Sequence, residues 1–597
     1  MIAPMTKYSF VLLSADEGAF LESLQEVGVV DITRSVKPVD EQSSAMLSDI
    51  TGIKGALSTL EKSSFEGIEP EAVDTPDPVA AAKQAQESLA AAQEGIAASQ
   101  KAYEDLLPWG NYSTEHVARI EQMGLKVHFH KVAAKKFDPG WASEIALQVI
   151  FEDGKYVWFV TVTPADDQSF TVGEIPAPGR TAAQVKEHIE NLSGEANHWK
   201  ATLEGLKKYV PSLKEELAVK TASLDRYLAS HAAGDAAEGH ITTFTGFVPD
   251  DDAAQAEKEF ERLGFFFLKD SASLEDNPPI KLKNNAFVSM FEVLTDMYGR
   301  PAYNGFDPTP FISVFFLLFF AFCMGDCGYG IILIIIGLLL RKVESFKDLS
   351  PLVVTLGAGT AVIGFLFHTF FSMDISQWEV FAPISGVFLP GKIAGYDGTM
   401  VLALIVGVVH ICLALCVKTY EETKNKGLAG ALGTWGWTLL IVGGVTVGAL
   451  ALVGVLEAQL TKWIIIVLGI VSALGIFVFN DPKRNKLANI GVGLWDTYNT
   501  ATGLVGDVLS YLRLYALGLA GSMLGLAFNS IGNMILGDGS NAIAWIPFLL
   551  VVIIGHTLNV AMAALGAFVH PLRLNFLEFF KNSGYEGVGR SYNPLKK

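Results

Sequence analysis

Cysteine is scarce in this sequence, its first 35 residues hold no long apolar core, and basic side chains are outnumbered by acidic ones. The four cysteines of the 597 residues, Cys323, Cys327, Cys412 and Cys416, all sit in apolar runs. Their two i, i+4 pairs could suggest metal ligands, but no His or carboxylate completes either set. They read as small apolar residues on a buried helix face, and no metal site is expected. Residues 1–35 contain Asp16, Glu17 and Glu22 and no long apolar core, which excludes a secretory signal and predicts a cytoplasmic N-terminus. With 44 Lys/Arg against 63 Asp/Glu, nothing would neutralise a phosphate backbone, so a nucleic-acid partner is excluded. There is no G-x-x-x-x-G-K-[ST], H-E-x-x-H or G-x-S-x-G, hence no catalytic site and no cofactor are expected, and any energy source must sit on a partner.

What is present is apolar and unevenly distributed. Half of the residues are hydrophobic and the mean hydropathy is +0.35, too high for an ordinary soluble enzyme. Residues 301–597 hold 17 basic and 16 acidic side chains, whereas 1–300 hold 27 and 47, a net charge of −20. The front is therefore built for water and the back for lipid. Apolar stretches near 309–325, 328–341, 351–371, 398–417, 428–454, 462–480, 493–534 and 542–580 predict eight spans. The first two are short and meet at a glycine-rich re-entry turn, Gly325-Asp326-Cys327-Gly328-Tyr329-Gly330. At roughly 1.5 Å per residue the last two exceed a ~30 Å core, so they must tilt or project into water.

Basic residues orient the spans. Arg341, Lys342, Lys347, Lys418, Lys424, Lys426, Lys483, Arg484, Lys486, Lys581, Arg590, Lys596 and Lys597 fall on one side, and only Lys392 and Lys462 on the other. The positive-inside rule then places both termini in the cytoplasm. Arg513 and Arg573 remain, each inside a span, where a cation costs a few kcal/mol without a partner or a wet cavity. Snorkelling or a buried ion pair is the structural alternative, and it suits Arg573, nearer its helix end, better than Arg513. At about 100° per residue Gly506, Ser510, Ala516 and Ala520 share the face of Arg513, with Asp496, Asn499, Thr500 and Asp507 on an adjoining flank. On the last helix His556, Asn559, Gly566, His570 and Arg573 form a polar stripe, followed by Glu578. Such stripes in lipid-embedded helices mark ion paths, with interhelical hydrogen bonding as the alternative.

The soluble part, 1–300, begins with strand–helix–strand at 8–13, 17–27 and 29–32, and the pattern returns at 241–249, 251–263 and 265–269. Two such halves can pair into one proximal α/β lobe, about 1–36 with 238–270. Helical stretches at about 45–107 and 182–235 predict an arm, and alternation at 126–131, 145–151 and 156–162 predicts a distal α/β lobe over about 110–180. Leu192, Ala196, Trp199, Leu203, Leu206, Val210, Leu213 and Leu217 follow a 4-3 spacing continued by Leu224 and Leu228. This heptad seam predicts an antiparallel coiled coil with the Ala-rich 80–107 stretch, kinked at Pro211; a coiled coil that only dimerises is the alternative.

Several segments resemble one family, subunit I (subunit a) of V-type and archaeal-type rotary ATPases. They are Ser510-Tyr511-Leu512-Arg513-Leu514-Tyr515-Ala516-Leu517, His570-Pro571-Leu572-Arg573-Leu574, Lys283-Asn284-Asn285, Phe291-Glu292-Val293-Leu294-Thr295, Met297-Tyr298-Gly299, Asp307-Pro308-Thr309-Pro310-Phe311, Gly246-Phe247-Val248-Pro249 and the turn at Gly325–Gly330. The resemblance implies a static membrane subunit that carries H⁺ or Na⁺ through two half-channels against a rotating proteolipid ring of c/K subunits. Its essential arginine falls on Arg513 and its second on Arg573. The arm would hold E/G-type peripheral stalks, and through them the ATPase head. Asp496, Asp507 and Glu578 are expected to line the cytoplasmic access and His556 and Asn559 the outer one, with Asn499, Ser510 and His570 as further half-channel candidates. Gly521 and Ala563 stand where eukaryotic relatives carry a histidine and a glutamate. The short N-terminal half suits a bacterial or archaeal cell membrane. A secondary transporter or channel with a regulatory arm, and a pure membrane scaffold, are the competing expectations.

Overall fold

The computed structural model describes residues 1–597 except 36, 66, 111–113, 165–169, 171, 178, 237–239, 344–345, 378–391, 394, 480–485, 538–541 and 597. Lys483, Arg484 and Lys597 of the orientation pattern lie outside the described residues. The chain divides into two compact units, one of Met1–Phe10, Val29–Asp31 and Thr245–Pro594, the other of Val11–Gly28, Ile32–Phe244 and Leu595–Lys597.

Four long helices and a sheet make up most of the second unit: α1 (Glu41–Lys62), α2 (Pro78–Leu106), α3 (Ala182–Leu206) and α4 (Val210–Ser230). Each of the first three starts on a side-chain cap that satisfies amide groups left open by the helix. Asp40 and Ser43 form a capping box on α1, Asp77 caps α2, and Thr181 and Gln184 form a capping box on α3. Helices α2 and α3 run antiparallel, with Gly95 opposite Leu192 and the end of α2, at Tyr103 and Leu107, beside the start of α3 at Ala182. Ala82, Ala85, Leu89 and Ala92 share an apolar core with Ala196, Leu203 and Leu206.

The heptad seam does not keep the single partner expected for it. Its later leucines, Leu224 and Leu228 on α4, pack on Ile50 of α1 instead. The seam changes partner because the helix is interrupted: a 3₁₀ turn at Lys207–Tyr209 ends α3, and Pro211 lies in the first turn of α4. A proline there loses no hydrogen bond, so Pro211 restarts a helix rather than kinking one. The sheet consists of β1 (Leu125–Ala133), β2 (Ala146–Glu152), β3 (Tyr156–Pro164) and β4 (Glu174–Ile175), antiparallel in the order β2-β3-β1-β4. Register runs from Leu125↔Pro164 to Ala133↔Tyr156, which puts Phe129 and Trp158 with Trp109 in one core and Val132, Val157 and Phe159 in another.

In the other unit, strand Met5–Leu13 pairs antiparallel with Phe267–Ser271 (Thr6↔Ser271 to Phe10↔Phe267). Phe260 of the Asp250–Arg262 helix packs edge-on against Tyr8 and Phe10, at 5.4 and 5.2 Å between ring centres. The C-terminal segment is laced into this unit. Ile280 N–H donates to Arg590 O at 2.7 Å, and buried Asp31 accepts from the Arg590 guanidinium at 3.1 Å and from Asn593 N–H at 2.8 Å.

The same unit holds the apolar helices. Among the described residues five are long and apolar enough to cross a membrane: α8 (Gly398–Gly430), α9 (Leu432–Leu452), α10 (Ala458–Val478), α11 (Asn489–Leu536) and α12 (Trp545–Ser583). Before them come three shorter apolar helices, α5 (Thr309–Met324), α6 (Cys327–Leu340) and α7 (Ser350–Leu366). A helix of 14 residues such as α6 reaches only ~21 Å, short of the ~30 Å core. The turn between α5 and α6 is built by two residues. Gly325 closes α5 at φ 52°, and Asp326 caps α6 by accepting from Gly328 and Tyr329 N–H. Helices α6 and α7 are in backbone contact: a Cβ on Gly330 would lie 2.4 Å from Ala361 N. Of the cysteines Cys323 is buried, but Cys416 is exposed on α8, contrary to the expected buried face.

Candidate functional site

Helix α11 is not one continuous ladder. At Tyr511 the bonding tightens, with Tyr511 N–H donating to Val508 O and Leu514 N–H to Tyr511 O, both at 3.1 Å. Such i, i−3 bonds rotate the rest of the helix relative to a straight 3.6-residue ladder. Two residues on stands Arg513, half-buried, and its Nη1 is buried without a hydrogen-bond partner among the described residues. Gly506, Ala516 and Ala520, expected on the arginine's face, are exposed, while Ser510 is half-buried beside Glu578. Three of the small residues expected on that face are thus open, on a helix whose Arg513 guanidinium is partly unanswered among the described residues.

Glu578 is buried, and its Oε2 also lacks a partner among the described residues, although Arg513 is within electrostatic reach. Asp507 is held differently. It accepts from Asn582 Nδ2 at 2.8 Å and faces Lys581 Nζ at 3.5 Å, which fastens α11 to the end of α12. Asp496 is half-buried and Asn499 is exposed.

The stripe drawn along α12 separates into parts with different surroundings. His556 and Asn559 are buried, His570 is half-buried near the charges of both arginines, and Arg573 is exposed. From Leu574 to Phe579 the helix widens into a π turn, following Pro571 inside the helix. A 3.6-residue wheel therefore fails beyond Arg573, and Glu578 turns inward.

His556 and Asn559 belong to a network that the sequence did not reveal as such. Tyr329 OH lies 2.8 Å from His556 Nδ1 and accepts from Asn559 Nδ2 at 2.8 Å. Asn559 Nδ2 also reaches Gly521 O at 2.8 Å, and His556 Nε2 reaches Asn529 Oδ1 at 2.9 Å. Asn529 Nδ2 donates to Phe371 O at 2.8 Å. Asp326 carries the far side, accepting from Phe371 N–H at 2.9 Å and Ser372 N–H at 2.6 Å. These bonds hold Phe371 and Ser372 at φ 48° and 59°, values a side chain with a Cβ seldom adopts. His556 and Asn529 open onto an apolar groove of about 690 Å³ lined also by Ile332, Phe371 and Val552. Tyr329 was visible in the glycine-rich turn, but nothing in the apolar run around Asn529 marked it. His410, inside the run of α8, was overlooked as well. Among the described residues no three His, Cys, Asp or Glu side chains could hold a metal ion.

Fold and site together define a multi-pass α-helical membrane protein with an N-terminal α/β and helical region and charged groups set within its longest apolar helices. Residues 178–349 match the V-type ATPase 116kDa subunit family, and the chain is similar to curated proteins named subunit I of A-type and V-type ATP synthases. It is 28% identical to the A-type ATP synthase subunit I of Methanocaldococcus jannaschii over 70% of this chain and 64% of that one. Against the Pyrococcus horikoshii A-type subunit I it is 35% identical, covering 54% and 48%. The Borreliella burgdorferi V-type subunit I is 24% identical over the full length of both. The chain thus spans about half to two thirds of the archaeal relatives and all of this bacterial one. The solved cytoplasmic N-terminal domain of a V-ATPase subunit I, homolog of subunit a, is 15% identical, covering 45% of this chain and 100% of that one, with a TM-score of 0.20.

Proposed function

We propose that this chain is the static membrane subunit of a V/A-type rotary ATPase or ATP synthase. It would form the H⁺ or Na⁺ half-channels against a proteolipid ring of c/K subunits and anchor E/G-type peripheral stalks that lead to the ATPase head. All eight apolar helices would cross the bilayer of a bacterial or archaeal cell, the short α6 only together with the residues that flank it, with both termini cytoplasmic and the last two helices tilted. The observation that carries this reading is Arg513, whose Nη1 is buried without a partner among the described residues, on the helix that also exposes Gly506, Ala516 and Ala520.

An arginine in that setting calls for a carboxylate from outside the chain, because a permanently charged group in apolar surroundings is costly without one. A ring carboxylate arriving at the small-residue strip would be held ionised by the guanidinium and must give up its proton or sodium ion. The exposed Arg573 would meet the ring further along the same curved surface. Glu578, Ser510, Asp507, Asp496 and Asn499 would lead to the cytoplasmic side. On the other side His556 and Asn559, joined by Tyr329 and Asn529, would carry the ion, with His570 between the two paths.

The test is ATP-driven ion uptake into inverted membrane vesicles, with pH and sodium reporters side by side, comparing wild type with Arg513→Ala and Arg513→Lys at matched assembly. Lost uptake in an assembled Arg513→Ala complex is expected, and the reporter that responds in wild type names the ion. Normal uptake in that variant would discard the arginine mechanism in favour of a scaffold.

A further inference from the structure

His410 is fully buried on α8, and its surroundings are almost wholly aromatic. Phe579 stacks on it at 4.7 Å and 6°, Phe315 at 4.1 Å and 29°, and Phe319 meets it edge-on at 5.1 Å. Its Nδ1 lies 2.9 Å from the hydroxyl of Tyr511, and its Nε2 has no partner among the described residues. A phenylalanine would fill such a box without leaving a ring nitrogen dry, so packing alone does not account for the imidazole. What the imidazole adds is a fixed point for one hydroxyl.

That hydroxyl belongs to the residue on which α11 turns. Tyr511 is fully buried, and its ring lies flat against α8 where a Cβ on Gly407 would come within 2.4 Å of it. Gly407 and His410 are three residues apart, hence on one face of α8, so the helix offers a smooth seat for the ring and a polar stop for its tip. The bonds that tighten α11 begin and end at this residue. Arg513 comes two positions later, and its buried Nη1 has no partner among the described residues. With that nitrogen unanchored, the backbone beneath the arginine has the larger part in deciding where the guanidinium stands.

We propose that His410 is a positioning residue, which acts through Tyr511 to set the place of Arg513 and so keeps ion passage tied to ring rotation. The proposal rests on the role given to Arg513 under the proposed function. Loosening the hydroxyl would let the guanidinium wander from the line between the two access paths, and ions would slip without work being done.

The experiment uses the intact complex in inverted vesicles at matched assembly. It reads ion uptake per ATP hydrolysed, and passive leak of an imposed ion gradient without ATP. Tyr511→Phe and His410→Phe keep the rings and remove the hydrogen bond, and His410→Asn returns a polar partner near the Nδ1 position. Uptake per ATP is expected to fall at least about fivefold in both phenylalanine variants, with faster leak, since a misplacement of order 1 Å is that costly. His410→Asn should recover part of the loss. A side chain needed only for packing would change the yield of complex but not the ratio within the assembled fraction. Unchanged uptake per ATP and leak in Tyr511→Phe, which removes a single oxygen, overturns the proposal even if His410→Phe does not assemble. An Arg513→Ala control separates the two levels: its normal coupling would sink the arginine mechanism itself, whereas its loss beside a normal Tyr511→Phe sinks only the role of His410.

Discussion

Tyr329 and His556, 227 positions apart, meet through a single 2.8 Å hydrogen bond between a phenol and an imidazole nitrogen. The direction of the bond is set by its neighbours. Asn529 gives its amide hydrogens to Phe371 O and turns its oxygen to His556 Nε2, which must therefore carry a proton. In a neutral ring Nδ1 then accepts, and Tyr329 donates. In a charged ring both nitrogens donate, and the Tyr329 oxygen accepts from His556 as it does from Asn559. One rotating hydroxyl serves both states, as a proton path requires. If H⁺ is the ion of the proposed function, Tyr329→Phe is expected to lower ATP-driven proton uptake roughly a hundredfold or more at matched assembly, within the range of a lost proton-transfer group. Uptake equal to wild type would make the network purely structural.

Asp326 supports the same network through the backbone rather than through its side chains. Its carboxylate accepts from the backbone of Gly328, Tyr329, Phe371 and Ser372. Each bond to a charged acceptor contributes roughly 1.5–3 kcal/mol, and each stranded amide costs about 1–3 kcal/mol. Asp326→Ala should therefore cost several kcal/mol and release the positive-φ turn. Asp326→Asn should cost less, since its amide oxygen can keep the three bonds made to Oδ1 and only the one from Ser372 N–H would meet a donor. Thermal denaturation of the detergent-solubilised chain, monitored by size exclusion, checks this; a midpoint unchanged from wild type would refute it.

The elements legible in the sequence were those with a period. The strands at 126–131 and 156–162 fall inside β1 and β3, the one at 145–151 matches β2 to within one residue, and the apolar runs of α8 to α12 were visible because length alone identifies them. The heptad seam was visible too, but not its change of partner at α4, because spacing says that a face is apolar and not which helix covers it. Arg513 stood out as a charge in an apolar run. The wheel drawn through it could not register the tight turn at Tyr511, nor the π turn after Arg573, since both alter the period that the wheel assumes. Asn529 and His410 were illegible for a related reason: their meaning lies in residues more than 100 positions away.

Gly364 on α7 tests how closely the short helices are fitted. A Cβ there would lie 2.2 Å from Cys327 N and 2.4 Å from Asp326 C, both backbone atoms at the start of α6. No side-chain rotation relieves that contact, so the turn must shift. Gly364→Ala should destabilise by about 1–3 kcal/mol or more and disturb the cap at Asp326. Gly448→Ala on α9, where nothing lies within 4 Å, is the matched control and should behave as wild type. The comparison is made by detergent-solubilised yield and thermal midpoint, and equal behaviour of the two variants would contradict the fit.

In the soluble helices, Asp40 ties the start of α1 to α4. Its carboxyl is held down to about 2, first by the hydroxyl of Tyr227 on α4 and then by the backbone and side chain of Ser43. A carboxyl lowered in the folded chain contributes stability that is complete above its ordinary value of 3.8 and is lost as pH falls through about 2. The junction of α1 and α4 should thus loosen between pH 4 and 2. Tyr227→Phe removes the largest cause, so its carboxyl should protonate nearer the ordinary value and the junction should open at higher pH. Pepsin, active across this window, provides the measurement on the full-length protein: cleavage within 41–62 is compared between wild type and variant at each pH, with cleavage in 125–164 as the internal reference. Earlier cleavage in the variant as pH is lowered is the expected result. Identical onsets would mean that the Tyr227 bond does not hold the junction.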